Sequence, residues 1–447
     1  MPPSPESLPP DALKPNPRNA RTHPKRQLDA IAASIRRFGF LNPVLVDAEG
    51  VIIAGHGRAL AARRLGLERI PVLRVEHLSE ADRRAYVIAD NKLAQMAGWD
   101  RDVLAVELQH LIEVDASLPE VIGFAVGEVD VLLDEVGGGV DPDDEAVPAV
   151  VERAVTRPGD LWELGGRHRV ACGDARDAAA LNQLMGDATA DAVFVDPPYN
   201  VAIQGHVGGR GSIRHREFAM ASGEMTPEAF RAFLRAMAEA LTGVSRPGAV
   251  HFVCMDWRHA GDLIAALTPI YDELLNLCVW RKSNAGMGSL YRSQHELVFV
   301  FRHGRAPHRN AVELGRHGRH RTNVWDYPSV NGAHADRRRQ LEWHPTVKPV
   351  ALVAAAIKDV TRRGDVVLDS FLGSGTTLIA CERVGRACRG VELDPLYVDL
   401  ALRRWSEATG LAPVLSQTGQ PFDAVARERQ SDGADEAPVA PAWGDDQ

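Results

Sequence analysis

The sequence has few cysteines, no long apolar run and no signal-like start. Five cysteines are scattered over 447 residues without a Cys-x-x-Cys pair, so the pattern favours neither a disulfide framework nor a zinc site. No stretch approaches the roughly 18 uncharged apolar residues of a membrane span. The first residues, Met1-Pro2-Pro3-Ser4-Pro5, form neither a basic nor an apolar signal segment. We therefore expect a cytoplasmic protein without a metal site, whose reduced thiols are Cys172, Cys254, Cys278, Cys381 and Cys388.

Negative charge is concentrated in two segments of the chain. The sequence has 51 basic and 60 acidic residues, a net charge of -9. Residues 128–146 contain eight acids and no lysine or arginine, and residues 423–447 contain seven acids and two arginines. The rest of the chain is therefore mildly basic, which is compatible with a polyanionic partner without requiring one.

The acidic segments also divide the chain. Residues 136–150 are acidic and glycine-containing, which is typical of a linker because such a segment has too little apolar surface to stabilise an ordered structure. The Pro-, Ala- and acid-rich residues 418–447 are predicted to be a disordered tail. The length is typical of two or three domains, and we expect one at residues 1–135 and another at residues 151–417.

Before the linker, the pattern alternates between helix and strand. A helical pattern stops at Gly39, and two short strands at residues 43–47 and 51–54 follow. The next helix begins directly after Gly55-His56-Gly57-Arg58. Free N–H groups and the helix dipole favour a phosphate at such a helix start, so these four residues are candidate DNA or phosphate contacts. A plain strand-to-helix turn is the alternative.

The order of these elements resembles the N-terminal domain of the ParB and sulfiredoxin superfamily over about residues 12–95. The resemblance rests on Asn16-Pro17-Arg18, Phe38-Gly39, Asn42-Pro43-Val44, Ile52 to Arg58 and Ile70-Pro71-Val72. Partition-type ParB proteins carry an acid where His56 stands and an arginine at Gly57, and sulfiredoxins place a reactive cysteine in this loop. The resemblance implies a small α+β module that contacts DNA or nucleotide phosphate, without redox chemistry.

A second candidate site lies at the end of the apolar run of residues 191–195. There Asp196-Pro197-Pro198-Tyr199 follows a predicted buried strand. The exocyclic amine of a base is a poor nucleophile because its lone pair is delocalised into the ring, and it gains reactivity when acceptors hold its hydrogens. Asp196 and the carbonyl of Pro197 are suited to that task, and Tyr199 offers a face for an extruded base. A strand end followed by a proline turn is the alternative.

A cofactor-binding pattern follows later in the chain. Residues 365–369 are predicted to form a buried strand, Gly373-Ser374-Gly375 a tight turn, residues 376–383 a helix and residues 387–393 the next strand. Glu392 lies 19 residues after Gly373, close to the spacing at which a carboxylate meets ribose hydroxyls in a βαβ unit. The third glycine of the dinucleotide fingerprint is missing. This favours S-adenosyl-L-methionine over NAD, because a sulfonium cofactor has no pyrophosphate.

Three spaced segments resemble the amino-methylating DNA methyltransferases of the permuted β class. They are Asp196 to Tyr199, Phe371-Leu372-Gly373-Ser374-Gly375-Thr376 and His344-Pro345-Thr346-Val347-Lys348-Pro349. In that class the catalytic tetrapeptide precedes the cofactor glycines, here by about 175 residues, and the match runs over about residues 158–406. The resemblance implies an α/β fold with a Rossmann-like S-adenosylmethionine-dependent sheet in permuted motif order. It also implies methylation of a base flipped out of double-stranded DNA.

The same resemblance assigns roles to individual residues. The catalytic residues are those of the tetrapeptide, Asp196, Pro197, Pro198 and Tyr199. Glu392 would bind the cofactor's ribose, Asp174 would touch its adenine, and the methionine part would be surrounded by Phe371, Gly373, Gly375 and Thr376. Lys348 and Asp369 are further candidate cofactor contacts. The alternatives are a solvated lysine before a helix and a carboxylate that caps a turn.

A basic segment between the two motifs, at about residues 302–342, is the expected target-recognition insert. Arg316, Arg319 and Arg321 are candidate DNA contacts there, with a solvated loop as the alternative. Residues 205–216 are a candidate mobile loop that closes on DNA.

The residues favour one target base over the other. Adenine N6 is favoured over cytosine N4, because cytosine enzymes of this family more often begin the tetrapeptide with Ser. A ParB-like partition protein with a degenerate methyltransferase half is the alternative from another class. The sequence leaves open a homodimer and a restriction endonuclease partner.

Overall fold

A computed structural model gives the architecture of the protein. The structure describes residues 5–137, 142–148, 153–201, 223–283, 285, 290–314, 316, 320–328 and 347–432. The chain forms two compact units, Met1–Gly137 and Gly138–Gln447, and each is described by itself. Within the described ranges, no helix is long and apolar enough to cross a membrane.

The first unit contains a four-stranded sheet with the strand order β1-β4-β2-β3. β2 is parallel to β4, whereas the β1–β4 and β2–β3 pairs are antiparallel. Buried aliphatic residues from β2, β3, β4 and the second helix form one small core. The strands are β1 (Pro5–Leu8), β2 (Val44–Val46), β3 (Ile52–Ala54) and β4 (Ile70–Arg74).

Helices complete the first unit. α1 buries Leu28 and Ala32 and ends at Gly39, whose positive φ of 83° suits a glycine. α4 and α6 pack together through a separate small core that includes Leu108 and Leu132. The helices are α1 (Lys25–Phe38), α2 (His56–Leu65), α3 (Glu80–Met96), α4 (Arg101–Val114), α5 (Leu118–Val121) and α6 (Val126–Gly137).

The second unit is built on one large mixed sheet. Its order is β11-β9-β10-β8-β7-β12-β13-β6-β5-β14-β15. The strands are β5 (Leu161–Leu164), β6 (His168–Cys172), β7 (Ala190–Val195), β8 (Ser245–Met255), β9 (Glu273–Arg281), β10 (His295–Arg302), β11 (Val324–Asp326), β12 (Val366–Asp369), β13 (Ala387–Glu392), β14 (Val414–Leu415) and β15 (Gln420–Pro421). The helices are α7 (Ala178–Met185), α8 (Pro227–Gly243), α9 (Ala260–Leu267), α10 (Val350–Val360), α11 (Thr376–Arg383), α12 (Pro395–Thr409) and α13 (Phe422–Asp432).

The centre of this sheet is parallel and buried on both faces. The strands β6, β13, β12, β7 and β8 are neighbours and run in the same direction. Along β7, Ala192 and Phe194 enter one core, while Val193 and Val195 enter the other. Residues of a strand alternate between two faces, so covering both faces requires the continuous apolar run seen in the sequence. The predicted fold class is confirmed: the second unit has an α/β sheet, and the first unit is a small α+β module.

The structure contradicts part of the predicted disordered tail. Residues 418–432 are not a disordered tail, since they form β15 and α13. Phe422 is buried against Trp162, with 5.3 Å between ring centroids, and Arg429 pairs with Asp160. Phe422 and Val425 are part of the core of the second unit, so few apolar residues anchor this segment. Residues 433–447 lie outside the described part.

The predicted linker at residues 136–150 is also partly ordered. α6 continues to Gly137, and a short 3-10 helix spans Pro142–Glu145. Asp144 is buried and accepts hydrogen bonds from Arg383 at 2.6 to 2.9 Å. Glu145 accepts a 2.7 Å hydrogen bond from the Val350 N–H, at the start of α10. A buried acid is tolerated because a cation or a helix start compensates its charge, and composition does not reveal such a partner.

All five cysteines are buried and unpaired, as predicted. Within the described ranges, no cluster of three or more His, Cys, Asp or Glu side chains forms a potential metal site.

Candidate active site

The catalytic tetrapeptide and the cofactor turn lie at one edge of the central sheet. β7 and β12 are parallel neighbours, with Leu368 opposite Val193, so both strands end at the same edge. Asp196 follows β7 directly, and Asp369 is the last residue of β12. In open α/β sheets, ligands bind outside the carboxyl ends of the strands. Pairing of two strands that lie far apart in sequence therefore brings the two motifs together.

Both carboxylate oxygens of Asp196 accept hydrogen bonds. The Tyr199 hydroxyl donates to Oδ1 at 2.5 Å, and the Lys348 ammonium donates to Oδ2 at 2.5 Å. The Lys348 Nζ also lies 5.7 Å from the centre of the Tyr199 ring. These contacts fix the carboxylate and the aromatic ring relative to each other.

Lys348 belongs to a cluster of two lysines and two acids, which we call the charge cluster: Asp196, Lys282, Glu296 and Lys348. The Lys348 Nζ lies 2.8 Å from Glu296 Oε2, and Lys282 donates to Glu296 Oε1. The side chains of Lys348 and Glu296 are only 5% and 9% exposed, whereas that of Asp196 is 22% exposed. Lys348 and Glu296 thus neutralise each other at the buried end of the cluster, whereas Asp196 and Lys282, whose side chain is 27% exposed, lie on its exposed side.

Burial and the neighbouring charges shift the acidities of this cluster. Burial raises the pKa of Asp196, and Glu296 adds to that rise while Lys348 opposes it. Burial would also raise the pKa of Glu296, but Lys348 and Lys282 outweigh it and lower the pKa to about 2. Burial would lower the pKa of Lys348, but Asp196 and Glu296 raise it above its ordinary value. Glu296 and Lys348 are therefore an ion pair at neutral pH.

The cofactor turn is stabilised by two carboxylates. Glu392, at the end of β13, accepts 2.8 Å and 2.9 Å hydrogen bonds from the N–H groups of Gly373 and Asp394. Asp369 accepts from the Phe371 N–H at 2.9 Å and from the Thr377 hydroxyl at 2.6 Å. Burial raises the pKa of Glu392 and raises that of Asp369 to about 7.

The turn requires glycine at its end because it packs closely against α12. Gly375 has a φ of 84°, and a Cβ placed there would lie 2.9 Å from the Cβ of Ala401. Thr376 opens α11 directly after it. The combination of a glycine turn, a helix start and a carboxylate at the next strand fits a nucleoside cofactor whose ribose hydroxyls need an acceptor.

Other residues predicted around the cofactor have defined positions. Phe371 packs edge-on against Phe233, with 6.1 Å between ring centroids. Asp174 follows β6 and is paired with Arg176 at 2.7 Å. The Gly173 N–H donates to the backbone oxygen of Glu392 at 3.0 Å, which joins the ends of β6 and β13. Lys348 binds the two acids of the charge cluster, and its contact with the cofactor stays a prediction.

The candidate DNA contacts are distributed over both units. Gly55 has a φ of 95° and precedes α2, and a Cβ on Gly57 would meet Ile31 at 3.0 Å. The Asn16 N–H donates to Nε2 of His56 at 3.4 Å, and Arg58 donates to the Pro43 carbonyl at 3.2 Å. Burial lowers the pKa of His56, with His23 adding to the effect.

In the second unit, Arg321 forms a 3.0 Å ion pair with Asp359 and lies 5.3 Å from the Trp325 ring. These contacts hold the Arg321 side chain against its own unit, and its contact with DNA stays a prediction. Arg316 lies 3.9 Å from Glu313. Arg319, the loop 205–216 and much of the insert 302–342 lie outside the described residues.

Sequence reasoning missed Lys282 and Glu296. Glu296 is the only acid in the strand His295–Arg302, which is otherwise largely apolar. A single carboxylate at the start of such a strand is a usable signal, because an unpaired buried acid is costly. Lys282 has no comparable signal.

Comparisons with known proteins match three parts of the chain. The DNA methylase family matches residues 190–403, the ParB N-terminal domain matches residues 4–91, and the ParB-methyltransferase HTH domain matches residues 102–158. The third match covers α4 to α6 and was not predicted from the sequence.

Individual relatives divide in the same way. The ParB-like nuclease domain-containing protein YnaK of Escherichia coli (strain K12) is 43% identical over 72 residues, 16% of this chain and 83% of that protein. The type II methyltransferase M2.MboI of Moraxella bovis is 29% identical over 150 residues, 32% of this chain and 52% of that enzyme. This chain thus matches about half the length of M2.MboI. The solved cytosine-N4-specific PvuII DNA methyltransferase aligns with 14% identity and a TM-score of 0.42, covering 62% of this chain and 97% of that chain.

The family matches agree with the geometry at the ends of β7 and β12. They confirm the predicted cofactor, S-adenosyl-L-methionine. The chain therefore carries a DNA methylase domain of the N6-adenine/N4-cytosine type at residues 190–403 and a ParB N-terminal domain at residues 4–91.

Proposed function

We propose that the protein is a site-specific methyltransferase for adenine N6 in double-stranded DNA. The observation that carries this proposal is the position of Asp196, beside the cofactor turn and on the exposed side of the charge cluster. Cytosine N4 is the alternative target. Adenine is favoured because an aspartate, rather than a serine, leads the tetrapeptide.

The tetrapeptide polarises and positions the target amine. Asp196 and the Pro197 carbonyl accept its two hydrogens, which returns lone-pair density to the nitrogen. Tyr199, held by its hydrogen bond to Asp196, stacks on the flipped base, an interaction of about 1–3 kcal/mol where it has been measured. Pro198 stiffens the chain between Pro197 and Tyr199.

S-adenosyl-L-methionine supplies a methyl group on a cationic sulfur, so the protein contributes mainly alignment. The methylated amine must lose one proton, and Asp196 is in position to receive it because it already accepts a hydrogen bond from that amine.

The cofactor-binding residues follow from the same turn. Glu392 has lone pairs left for ribose hydroxyls beyond its two backbone hydrogen bonds. Phe371, Gly373, Gly375 and Thr376 surround the methionine part, and Asp174 approaches the adenine. Asp369 holds the turn through Phe371 and Thr377.

The N-terminal unit is proposed to contact the DNA backbone. Gly55, His56, Gly57 and Arg58 form a helix start at which free N–H groups favour phosphate. Arg316 and Arg319 are proposed to contact DNA from the insert. A flipped base requires such cationic contacts to hold the strand. A homodimer and a restriction endonuclease partner are further proposals.

Methyl transfer tests the proposal directly. Full-length protein, methyl-labelled cofactor and unmethylated DNA should give labelled DNA, which releases N6-methyladenine on digestion. Asp196→Ala should abolish transfer and leave cofactor affinity within about twofold, since the cofactor turn makes separate contacts. Asp262→Ala removes an acid that pairs with Arg231 on the surface and should leave transfer unchanged.

Two outcomes would change the assignment. N4-methylcytosine in the digest would replace adenine by the alternative base. Cofactor binding by the wild-type protein without transfer to DNA would favour the partition-protein alternative. Sequencing DNA from an expression host that lacks methylation would also give the recognition site.

A further inference from the structure

Nothing in the tetrapeptide explains why Lys348 and a second acid, Glu296, are buried behind Asp196, with the more exposed Lys282 beside them. Glu296 lies at the start of β10, Lys282 directly follows β9, and Lys348 directly precedes Pro349 at the start of α10. β9 and β10 are antiparallel neighbours, with Arg281 opposite His295. Glu296 therefore reaches the site from a part of the sheet that contains none of the three motifs described above.

The cluster is a chain of contacts that ends at Asp196. Lys282 holds one oxygen of Glu296, the other oxygen holds Lys348 at 2.8 Å, and Lys348 holds Asp196 at 2.5 Å. The Trp280 ring limits the movement of both lysines, with its centre 4.9 Å from the Lys282 Nζ and 5.8 Å from the Lys348 Nζ. Of the two acids in the cluster, Asp196 is the one open to a ligand, because its side chain is 22% exposed and that of Glu296 is 9% exposed.

Sharing of Lys348 between two acids matters for the proposed chemistry. If Asp196 were its only partner, the ammonium would draw electron density from the carboxylate that must accept the target amine. Glu296 also attracts the Lys348 ammonium, which weakens the pull of that ammonium on Asp196 and fixes its position. Truncating one partner of a buried ion pair leaves the other charge to find a new arrangement.

We propose that Glu296 is a positioning residue for methyl transfer: through Lys348 it holds Asp196 in the orientation that accepts the target amine. This inference rests on the proposed methyltransferase function. It adds a residue outside the three motifs that define the site. It also gives Lys348, a predicted cofactor contact, a role as a link between two acids.

Glu296→Gln in the full-length protein tests the inference, because it removes the charge and keeps the shape. We expect kcat for DNA methylation to fall about 10- to 100-fold, as for loss of a charged hydrogen-bond partner. The cofactor Kd and the KM for DNA should stay within about twofold, because Glu296 contacts neither ligand. A purely structural role would lower the fraction of folded protein rather than kcat per folded molecule.

Glu382→Gln is the matched control. Glu382 also pairs with a cation and with a buried side chain, Arg167 and His168, but in a network away from the tetrapeptide. It should lower the unfolding temperature and leave kcat per folded molecule unchanged. Glu296→Asp keeps the charge but retracts the carboxyl group, so it serves if Glu296→Gln does not fold, and kcat should still fall several-fold.

The inference and the proposed function fail differently. A wild-type protein that transfers no methyl group overturns the proposed function. A wild-type protein that methylates DNA, with a Glu296→Gln or Glu296→Asp variant that keeps wild-type kcat, overturns the positioning role alone. A parallel loss of kcat in Glu382→Gln would also overturn it, since any buried ion pair would then matter equally.

Discussion

Two strand-to-helix turns in this molecule use the same backbone conformation in different surroundings. In the first unit, β3 leads through Gly55 into α2, and in the second unit, β12 leads through Gly375 into α11. Both glycines have a left-handed conformation, with φ of 95° and 84°. Each occupies the N-cap position of its helix, where it can offer no side-chain hydrogen bond. The first N–H groups of both helices therefore have no side-chain cap at this position.

The side chains around these N–H groups differ. The turn at Gly375 is held by the carboxylates of Asp369 and Glu392, whereas the turn at Gly55 is followed by His56 and Arg58. Carboxylates suit hydroxyl groups, and cations with free N–H groups suit phosphates. The comparison teaches that a glycine turn alone does not identify its ligand, and that the charges beside it do.

The largest effect is expected from adding a methyl group at Gly375, with the same change at Gly55 as the comparison. Gly375→Ala introduces a strained φ and a 2.9 Å contact with Ala401, which together should weaken cofactor binding by about 2–5 kcal/mol, thirtyfold or more. Gly55→Ala places the new methyl near the flexible end of Arg58, at 3.0 Å, and should leave cofactor affinity unchanged. Calorimetric titration with cofactor measures both. Equal losses in the two variants would break the comparison.

The two turns should also respond oppositely to pH. The folded-state pKa of Asp369 is raised to about 7 from an ordinary 3.8, so the stability linked to this group is full below about pH 4 and is lost as the pH rises through 7. The pKa of His56 is lowered, so its contribution is present above about pH 6.5 and is lost on acidification.

Asp369→Asn should remove the loss of folding stability that ionisation of Asp369 causes at the cofactor turn. At pH 8 it should stabilise the protein by about 1–3 kcal/mol, and at pH 4 it should give no gain. Thermal unfolding at both values measures this. A gain at pH 4 as large as that at pH 8 would show that ionisation of Asp369 is not the cause.

Glu392→Gln should have a smaller effect on the cofactor turn. The amide keeps one acceptor oxygen but loses the charge that holds the Gly373 N–H and receives the ribose, so affinity should fall about tenfold. The kcat at saturating cofactor should change little, because Asp196 is untouched. A loss of kcat with unchanged affinity would assign Glu392 to catalysis instead.

The smallest effect is expected at the N-terminal turn. Arg58→Ala should reduce DNA affinity about threefold and lower the salt dependence of binding by about one phosphate contact. Cofactor affinity should be unaffected. DNA binding measured over a range of salt concentrations would reject the phosphate role if the slope stayed the same.

The elements around both turns could be predicted because their patterns are local. The helix 376–383 is observed at Thr376–Arg383, and the strand 387–393 at Ala387–Glu392. Buried parallel strands have continuous apolar runs, and glycines with positive φ mark the turns between them. Asp196 and Glu392 could be predicted from the sequence for the same reason, because Asp196 directly follows such a strand and Glu392 ends one.

The charge cluster and the ordered acidic segments could not be predicted. Lys282, Glu296 and Lys348 come from three separate segments, and only the packing of the sheet determines which acid pairs with which lysine. Asp144 is similar, because its partner Arg383 lies 239 residues away. Composition describes an acidic segment as solvated unless a buried cation is known.

The strand order has a consequence for how the protein is made. β12 and β13 lie between β7 and β6 in the sheet, although they follow both strands along the chain. During synthesis, β6 and β7 emerge first, and each keeps an unpaired inner edge until residues 366–392 leave the ribosome. Such edges are prone to wrong pairing, and long-range parallel strands pair slowly. The nascent chain is thus most vulnerable while its centre is missing, and the candidate active site is among the last features that it can assemble.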